Sequence, residues 1–233
     1  MSVLSTTVLQ EVHNAAEYLS WVKDLIAKVK LEPDGHKRIR LRIGLAKELI
    51  NEAFPIGLFA EKYFEGNNRV EISLRIGNQN FDAEVFDRQR QPSSVRYIEV
   101  TNAGDGEDDY LRMRKLHNCG EVSGFGKVTK AGTMKTKLEI HVEREMASQA
   151  HVLQCERDRV SKAIERKLGK QYPPDTLLLL AFDDTMAFDR QDNIAGLEAV
   201  LDEYLLRLDA FHSVAIVGVQ RGLYLCKRVE DAI

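Results

Sequence analysis

Two acidic side chains, Asp82 and Glu99, lie in neighbouring stretches of sequence that alternate like β-strands. Phe81 and Ala83 flank the first acid, and Val100 follows the second. Apolar residues in this alternation anchor a strand on a core, so two adjacent strands can hold two carboxylates close together. Such a pair repels unless it shares a cation or a proton, and carboxylate oxygens suit a hard divalent cation. The pattern predicts a divalent-cation site, and the alternative is a pair of solvated strand ends.

The overall composition is that of a globular chain without a strong charge. Its 233 residues are 44% hydrophobic, which is enough for one sizeable core or for a core with an appended helical piece. The net charge of −3 excludes a polycation that coats nucleic acid or anionic membrane with its whole surface. Any contact with nucleic acid must therefore be local.

Cysteine usage and the length of the apolar runs bear on the compartment. The three cysteines are widely spaced and odd in number, which argues against a disulfide framework and favours a reducing compartment. Glu11 and Glu17 precede any long apolar run, so we expect no secretory signal, and the apolar run at residues 176–182 is too short to cross a bilayer. We therefore expect a cytoplasmic protein that has no membrane partner.

Two helices are predicted at the start of the chain. Apolar residues recur at helical spacing over residues 8–29, and a second helical pattern covers residues 37–54 before Pro55 and Gly57. Proline and glycine are expected to end this second helix.

The break between the two helices predicts a domain boundary. Residues 1–35 form an N-terminal accessory helix with its linker, and residues 36–233 form the main domain. The accessory helix either packs within the molecule or forms the interface of a homodimer or of a complex with another protein.

The rest of the sequence predicts a sheet with helices on its faces. Gly77-Asn78 predicts the turn of a β-hairpin, and the glycine-rich residues 121–137 predict a second hairpin or a mobile flap. Strands that begin as an antiparallel meander and are later separated by helices indicate an α/β fold with a mixed β-sheet flanked by helices. The other expected elements are strands at 69–74, 81–86 and 94–100, helices at 110–120 and 139–170, a strand at 176–182, a helix at 194–208 and strands at 214–219 and 223–226.

The order of these elements and the two acids resemble the restriction-endonuclease-like, or PD-(D/E)xK, nuclease superfamily. Its motif is an acid on the second strand and an acid-x-lysine on the third, which Asp82 and Glu99 match. The resemblance implies a core of order α-βββ-α-β-α-β, here with an extra N-terminal helix. A further acid from the preceding helix would be Glu48, with Glu52 as its competitor. Where the motif has lysine, this chain has Thr101.

The chemistry that the resemblance implies is metal-assisted phosphodiester hydrolysis. Asp82, Glu99 and the Val100 carbonyl would hold Mg²⁺ or Mn²⁺, with one ion as compatible as two. A hydroxyl at Thr101 cannot supply the positive charge of the motif lysine. A lysine from elsewhere would then replace it, and the candidates are Lys162, Lys115 and Lys47.

A local excess of basic residues adds a candidate nucleic-acid interface. Between residues 111 and 137 there are seven basic residues and a single acid, Glu121. Such residues bind phosphates without reading base sequence, although a solvated loop has the same composition. The sequence thus predicts a nuclease, or alternatively a catalytically inactive relative that binds nucleic acid or a protein partner. The basic residues are Arg112, Arg114, Lys115, Lys127, Lys130, Lys135 and Lys137.

Overall fold

The structure, a computed structural model, describes residues 3–88, 94–123, 126–132, 138–185 and 190–229. The helices in these ranges are α1 (Thr6–Leu9), α2 (Ala15–Lys30), α3 (Gly35–Leu41), α4 (Ala46–Glu48), α5 (Phe54–Tyr63), α6 (Glu107–Cys119), α7 (Gln149–Glu165) and α8 (Arg190–Leu205), with a π-helical segment at Leu49–Ala53. The strands are β1 (His13–Asn14), β2 (Val70–Leu74), β3 (Ala83–Asp87), β4 (Tyr97–Asn102), β5 (Val128–Ala131), β6 (Glu139–Val142), β7 (Thr176–Phe182), β8 (Ser213–Gly218) and β9 (Tyr224–Arg228).

The described strands form one large mixed sheet and one small hairpin. The large sheet has seven strands in the order β1-β2-β3-β4-β7-β8-β9. Strands β1 to β4 pair antiparallel, β4, β7 and β8 pair parallel, and β9 is antiparallel to β8. Parallel neighbours need crossover connections, which the segments containing α6–α7 and α8 supply. The predicted α/β class with a mixed sheet flanked by helices is confirmed.

Each face of the sheet has its own apolar core. Along β4 and β7, Ile98 and Leu179 belong to the core that also contains buried residues of α2 and α5. Leu178 and Leu180 belong to the other core, together with residues of α7 and α8. The alternation follows from the two-residue period of a strand. Most of the other predicted elements, namely β2, β3, β4, α6, β7, α8, β8 and β9, are also confirmed to within a few residues.

The helix predicted at residues 37–54 is wrong in both its continuity and its end. Helix α3 ends at Leu41, and Arg42 takes a left-handed backbone conformation (φ 52°). Helicity resumes with α4 and passes through the π-helical segment into α5, which contains Pro55 and Gly57 and ends at Tyr63.

Local contacts explain why Pro55 and Gly57 lie inside a helix. Proline has no N–H to donate to the carbonyl four residues earlier. That carbonyl belongs to Asn51, and it accepts a hydrogen bond from the Asn102 side-chain amide at 3.0 Å. A Cβ on Gly57 would lie 3.0 Å from Cα of Leu19, so glycine lets α2 pack closely on α5. Contacts from β4 and α2 therefore stabilise the helix at the two residues that would be expected to end it.

The single helix predicted at residues 8–29 is divided in the structure. Helix α1 is followed by the short strand β1, which pairs with β2, and the Asn14 side chain then caps α2 by accepting from the Ala16 N–H at 2.9 Å. An N-cap side chain accepts from a backbone N–H at the start of a helix, and in a continuous helix a carbonyl of the preceding turn would accept from it instead. Buried residues of α2 contribute to the same core as β2, β3 and β4.

The start of the helix predicted at residues 139–170 is also wrong. Residues Glu139–Val142 form β6, which pairs with β5, and α7 begins only after Ser148, whose Oγ accepts from the His151 N–H. Met146, expected on the core stripe of the helix, is fully exposed. The β5–β6 pair confirms a hairpin here, although its second strand lies beyond the predicted range. No helix in the described ranges has both the length and the apolar character needed to span a bilayer.

Candidate active site

The two acids found in the sequence lie close together where β3 pairs with β4. Asp82 immediately precedes β3, and its N–H donates to the Ile98 carbonyl at 2.8 Å. Ala83, opposite Ile98, is where the paired register of the two strands ends, so Asp82 lies just beyond it, beside β4. The charge of Glu99 acts directly on the Asp82 carboxyl. The structure thus brings this predicted pair together, with Glu99 only 9% exposed.

The Asp82 carboxylate is fixed by the backbone of β4. Its Oδ2 accepts from the Val100 N–H at 2.7 Å, where a carbonyl of β3 would otherwise bind. In an antiparallel pair the N–H and C=O of one residue point to the same side. The Val100 carbonyl, predicted as a ligand, therefore points to the side of β4 on which Asp82 lies.

A lysine that the sequence analysis did not select contacts Glu99. The Lys167 ammonium lies 2.5 Å from the Glu99 carboxylate, and the two side chains are 15% and 12% exposed. Lys167 lies two residues beyond the end of α7, whereas the predicted Lys162 is exposed on that helix. No residue spacing could have revealed this contact, because 68 residues separate the partners.

Thr101 takes the place at which the motif has lysine. It is buried and lies two residues after Glu99, so the two side chains are on the same face of β4. Glu99 and Thr101 pair with Leu178 and Leu180 of β7, which face the core beneath α7 and α8. Lys167 reaches Glu99 from the end of α7. The ammonium therefore comes from the helix layer that covers this face, whereas the motif lysine would come from β4 itself.

A third carboxyl approaches the pair from the π-helical segment. Burial raises the pKa of Glu52 to about 8, and the neighbouring charges of Asp82, Glu48 and Glu99 act in the same direction. Burial, followed by the charge of Glu99, raises the pKa of Asp82 to about 6 even though the Val100 N–H and Lys167 lower it. Of the two helix acids considered from sequence, Glu52 is therefore the one on whose pKa the charges of Asp82 and Glu99 act. Carboxylates held this close are stabilised by a cation or by a shared proton.

Several buried polar atoms around the acids have no hydrogen-bond partner among the described residues. They are Glu48 Oε2, the Tyr18 hydroxyl and the Tyr172 hydroxyl. Burial and the charge of Glu52 raise the pKa of Tyr18, and burial with the charges of Glu99 and Asp82 raises that of Tyr172. Neither tyrosine was singled out from sequence, since an isolated tyrosine carries no positional signal. Buried polar groups usually have partners, so the Tyr172 hydroxyl, on which the charges of Glu99 and Asp82 act, marks a position that a ligand or water would complete.

The predicted basic interface is partly occupied by internal contacts. Arg112 donates to the Gly126 carbonyl at 2.5 Å, Lys130 forms an ion pair with Glu107, and Arg114 donates to the Tyr110 hydroxyl at 3.4 Å. Lys127 is exposed and Lys115 is half-buried on α6, while Lys135 and Lys137 lie outside the described residues.

Helix α6 also begins with acidic residues, which lie just before the basic stretch of residues 111–137. Glu107, Asp108 and Asp109 occupy the first turn of α6, where their negative charges interact favourably with the positive end of the helix dipole. The hairpin and α6 therefore carry mixed charge. Among the described basic residues of this interface, Lys115 and Lys127 take no part in the contacts named above.

The donor set at the site consists of hard oxygen atoms and one ammonium group. Within the described ranges no three or more His, Cys, Asp or Glu side chains are arranged so that they could hold a metal ion. A cation here would be held by the Asp82–Glu99 pair, the Val100 carbonyl and water, since Mg²⁺ commonly keeps several waters. Comparisons of the chain with protein-family models, with curated proteins and with solved structures gave no match.

Proposed function

We propose that this chain is a metal-dependent nuclease that hydrolyses the phosphodiester backbone of DNA or RNA. The observation that carries the proposal is the closeness of Asp82 to Glu99 of β4, with the Lys167 ammonium on Glu99. Two carboxylates and one amine are the groups that the restriction-endonuclease-like motif requires. Lys167 would supply the charge that Thr101 cannot.

The element order supports a restriction-endonuclease-like core. From α5 to β8 the chain runs helix, three strands, helix, strand, helix, strand, if α6 and α7 are counted as one helical crossover. The β5–β6 hairpin would then be an insertion in that crossover, and β9 an addition to the edge of the sheet. In such a core Glu99 would lie on the third strand and Asp82 immediately before the second.

The residues fit Mg²⁺ or Mn²⁺ as the cofactor. Asp82, Glu99 and the Val100 carbonyl offer hard oxygens, and the unpartnered Glu48 Oε2 is buried close to Glu52. When bound, the metal would lower the pKa of a water ligand and neutralise charge on the scissile phosphate. Burial and the repulsion between carboxylates raise the pKa values of Asp82 and Glu52, and such a cation would offset both effects.

The residues of the chain itself would orient these groups. The Val100 N–H holds Asp82 in one orientation, and Lys167 holds Glu99 while keeping a positive charge beside the reacting phosphate. Lys127 and Lys115 would contact phosphates further along the strand without reading the bases. The other basic residues predicted for this interface would also contact phosphates. Arg112 and Lys130 would act mainly by positioning the hairpin on α6.

Metal titration of the purified protein tests the function. We expect cleavage of labelled plasmid, single-stranded DNA or RNA that requires Mg²⁺ or Mn²⁺. Asp82→Asn and Glu99→Gln should each lower the rate by about 10²-fold or more, because each removes a charge on which metal and transition state depend. Glu71→Gln is the matched control, since Glu71 lies on the same sheet but pairs with Arg88.

The opposite outcome has a defined meaning. Wild-type protein that cleaves no nucleic acid, yet binds it or a protein partner equally well in all four forms, would contradict the nuclease. The fold would then serve as a catalytically inactive binding module, with Asp82 and Glu99 as a structural pair.

A further inference from the structure

Tyr172 lies in the connection between α7 and β7 (residues 166–175), on the same face of the sheet as Glu99. Its ring packs on Phe211 with centroids 4.4 Å apart, and Phe211 is 4% exposed in the core beneath α8. A ring held against a buried aromatic has little rotational freedom. The direction of the Tyr172 hydroxyl is therefore set by core packing.

The connection is attached to the acid pair on both sides of Tyr172. Before it, Lys167 contacts Glu99 at 2.5 Å. Next to it, the Gln171 carbonyl accepts from the Asn80 side-chain amide at 2.9 Å, two residues before Asp82 in the chain. These contacts hold the connection over the site independently of the tyrosine hydroxyl itself.

The Tyr172 hydroxyl is buried and has no hydrogen-bond partner among the described residues. Burial and the nearby charges of Glu99 and Asp82 raise its pKa, so the phenol keeps its proton and remains a donor at neutral pH. A buried hydroxyl without a partner costs about 1–3 kcal/mol. A buried hydroxyl that destabilises the fold and on which the charges of two carboxylates act is typical of a position that a ligand completes.

We infer that the Tyr172 hydroxyl binds the substrate, donating a hydrogen bond to a non-bridging oxygen of a backbone phosphate. This inference rests on the proposed function, since it names a substrate contact of the same site. The two carboxylates repel a phosphate, and Lys167 is already paired with Glu99. An uncharged donor can face the phosphate without forming a competing ion pair, which explains a tyrosine rather than a second lysine here.

The test compares Tyr172→Phe with Tyr204→Phe. The first removes only the unpartnered hydroxyl and keeps the ring on Phe211, whereas the Tyr204 hydroxyl donates to Glu165 at 2.8 Å and is structural. Three quantities are measured: the melting temperature, the anisotropy of a labelled oligonucleotide bound in the non-cleaving Asp82→Asn background, and kcat and KM for cleavage.

We expect Tyr172→Phe to keep or raise the melting temperature, because it removes an unsatisfied group. It should weaken oligonucleotide binding about 5- to 10-fold and lower kcat/KM at least as much. Tyr204→Phe should lower the melting temperature and leave binding unchanged.

Each contrary result has a separate meaning. Tyr172→Phe that binds and cleaves like the wild type overturns the substrate contact, as does a loss of stability without any change in binding. If the wild type cleaves nothing but Tyr172→Phe still weakens oligonucleotide binding, the phosphate contact stands and the nuclease fails. If the wild type neither cleaves nor binds the oligonucleotide, both fail.

Discussion

Glu99 lies between a carboxylate and an ammonium group, and this position defines what the site can do. It is nearly buried, close to the Asp82 carboxylate and 2.5 Å from the Lys167 amine. Asp82, Glu99 and Lys167 together carry a net negative charge, which a divalent cation would balance. A buried ion pair of this type contributes little net stability, because desolvation offsets its Coulomb energy.

The role of Lys167 is tested by matched substitutions on the end of α7. Lys167→Gln should reduce metal-dependent cleavage by about 10²-fold or more, Lys167→Arg should retain part of it, and Lys162→Gln should leave it unchanged. Lys167→Gln should also lower the free energy of unfolding by about 3 kcal/mol without metal, because Glu99 then stays buried without its partner. Added Mg²⁺ should recover part of this loss. Denaturant unfolding with and without Mg²⁺ gives the comparison, and a variant as active as Lys162→Gln would remove Lys167 from the mechanism.

Helices α7 and α8 meet through a buried polar contact that is separate from the acid pair. Glu156 on α7 and Asn193 on α8 are both buried, and the Asn193 side chain lies close enough to the Glu156 carboxyl to act on its pKa. Burial raises the pKa of Glu156 to about 7, the charges of Asp184 and Asp183 add to this effect, and Arg159 and Asn193 oppose it. The carboxyl group is therefore protonated more readily in the folded chain than in the unfolded chain.

This contact predicts a pH dependence with a definite sign. The folded pKa of about 7 exceeds the unfolded value of 4.5, so the folded state binds the proton more tightly. The contribution to stability is complete below about pH 4.5 and is lost as the pH rises to about 7. Between pH 5 and 8 the melting temperature of the wild type should therefore fall several degrees more than that of Glu156→Gln, which cannot ionise. Parallel melting curves for the two proteins would contradict the shift, and Glu165→Gln serves as a control on the same helix.

The molecule as a whole joins its N-terminal helix to the sheet. Tyr18, Val22 and Val29 of α2 are fully buried in the core that also holds β2 to β4, and β1 covers the edge of β2. Each fully buried side chain of this size contributes roughly 1.5–3 kcal/mol through burial. These contacts favour one cooperative unit over an accessory helix joined at residue 35.

Two leucines of this helical region separate the alternatives. Leu25 is 4% exposed and Leu31 is 87% exposed. Leu25→Ala should lower the free energy of unfolding of the whole chain by about 2–5 kcal/mol in a single transition, because it leaves a cavity in the shared core. Leu31→Ala should change it by less than about 0.5 kcal/mol. A separate early transition in Leu25→Ala, with the remaining transition unchanged, would instead support the division at residues 1–35 and 36–233.

Local pattern was sufficient for most of the fold. The continuous apolar run of β7, the Gly77-Asn78 turn between β2 and β3, and the helical spacing of α8 each depend on residues close in sequence. The predictions failed where distant contacts override such signals. Asn102 accommodates Pro55 within the helical stretch, α2 packs against Gly57, and β5 pairs with residues 139–142, which otherwise extend the helical pattern of α7.

The sequence by itself determined the α/β class, the strands that carry Asp82 and Glu99, and hence the closeness of the two acids. Both acids lie on or beside strands that the alternation of apolar residues predicts, so this part of the site is encoded by local pattern. Only the tertiary structure decided which other groups reach the pair. Lys167 and Tyr172 arrive from a connection about 70 residues further along the chain, and Glu52 comes from a π-helical segment. Their positions depend on how α7 and α5 pack on the sheet, which no spacing in the sequence specifies.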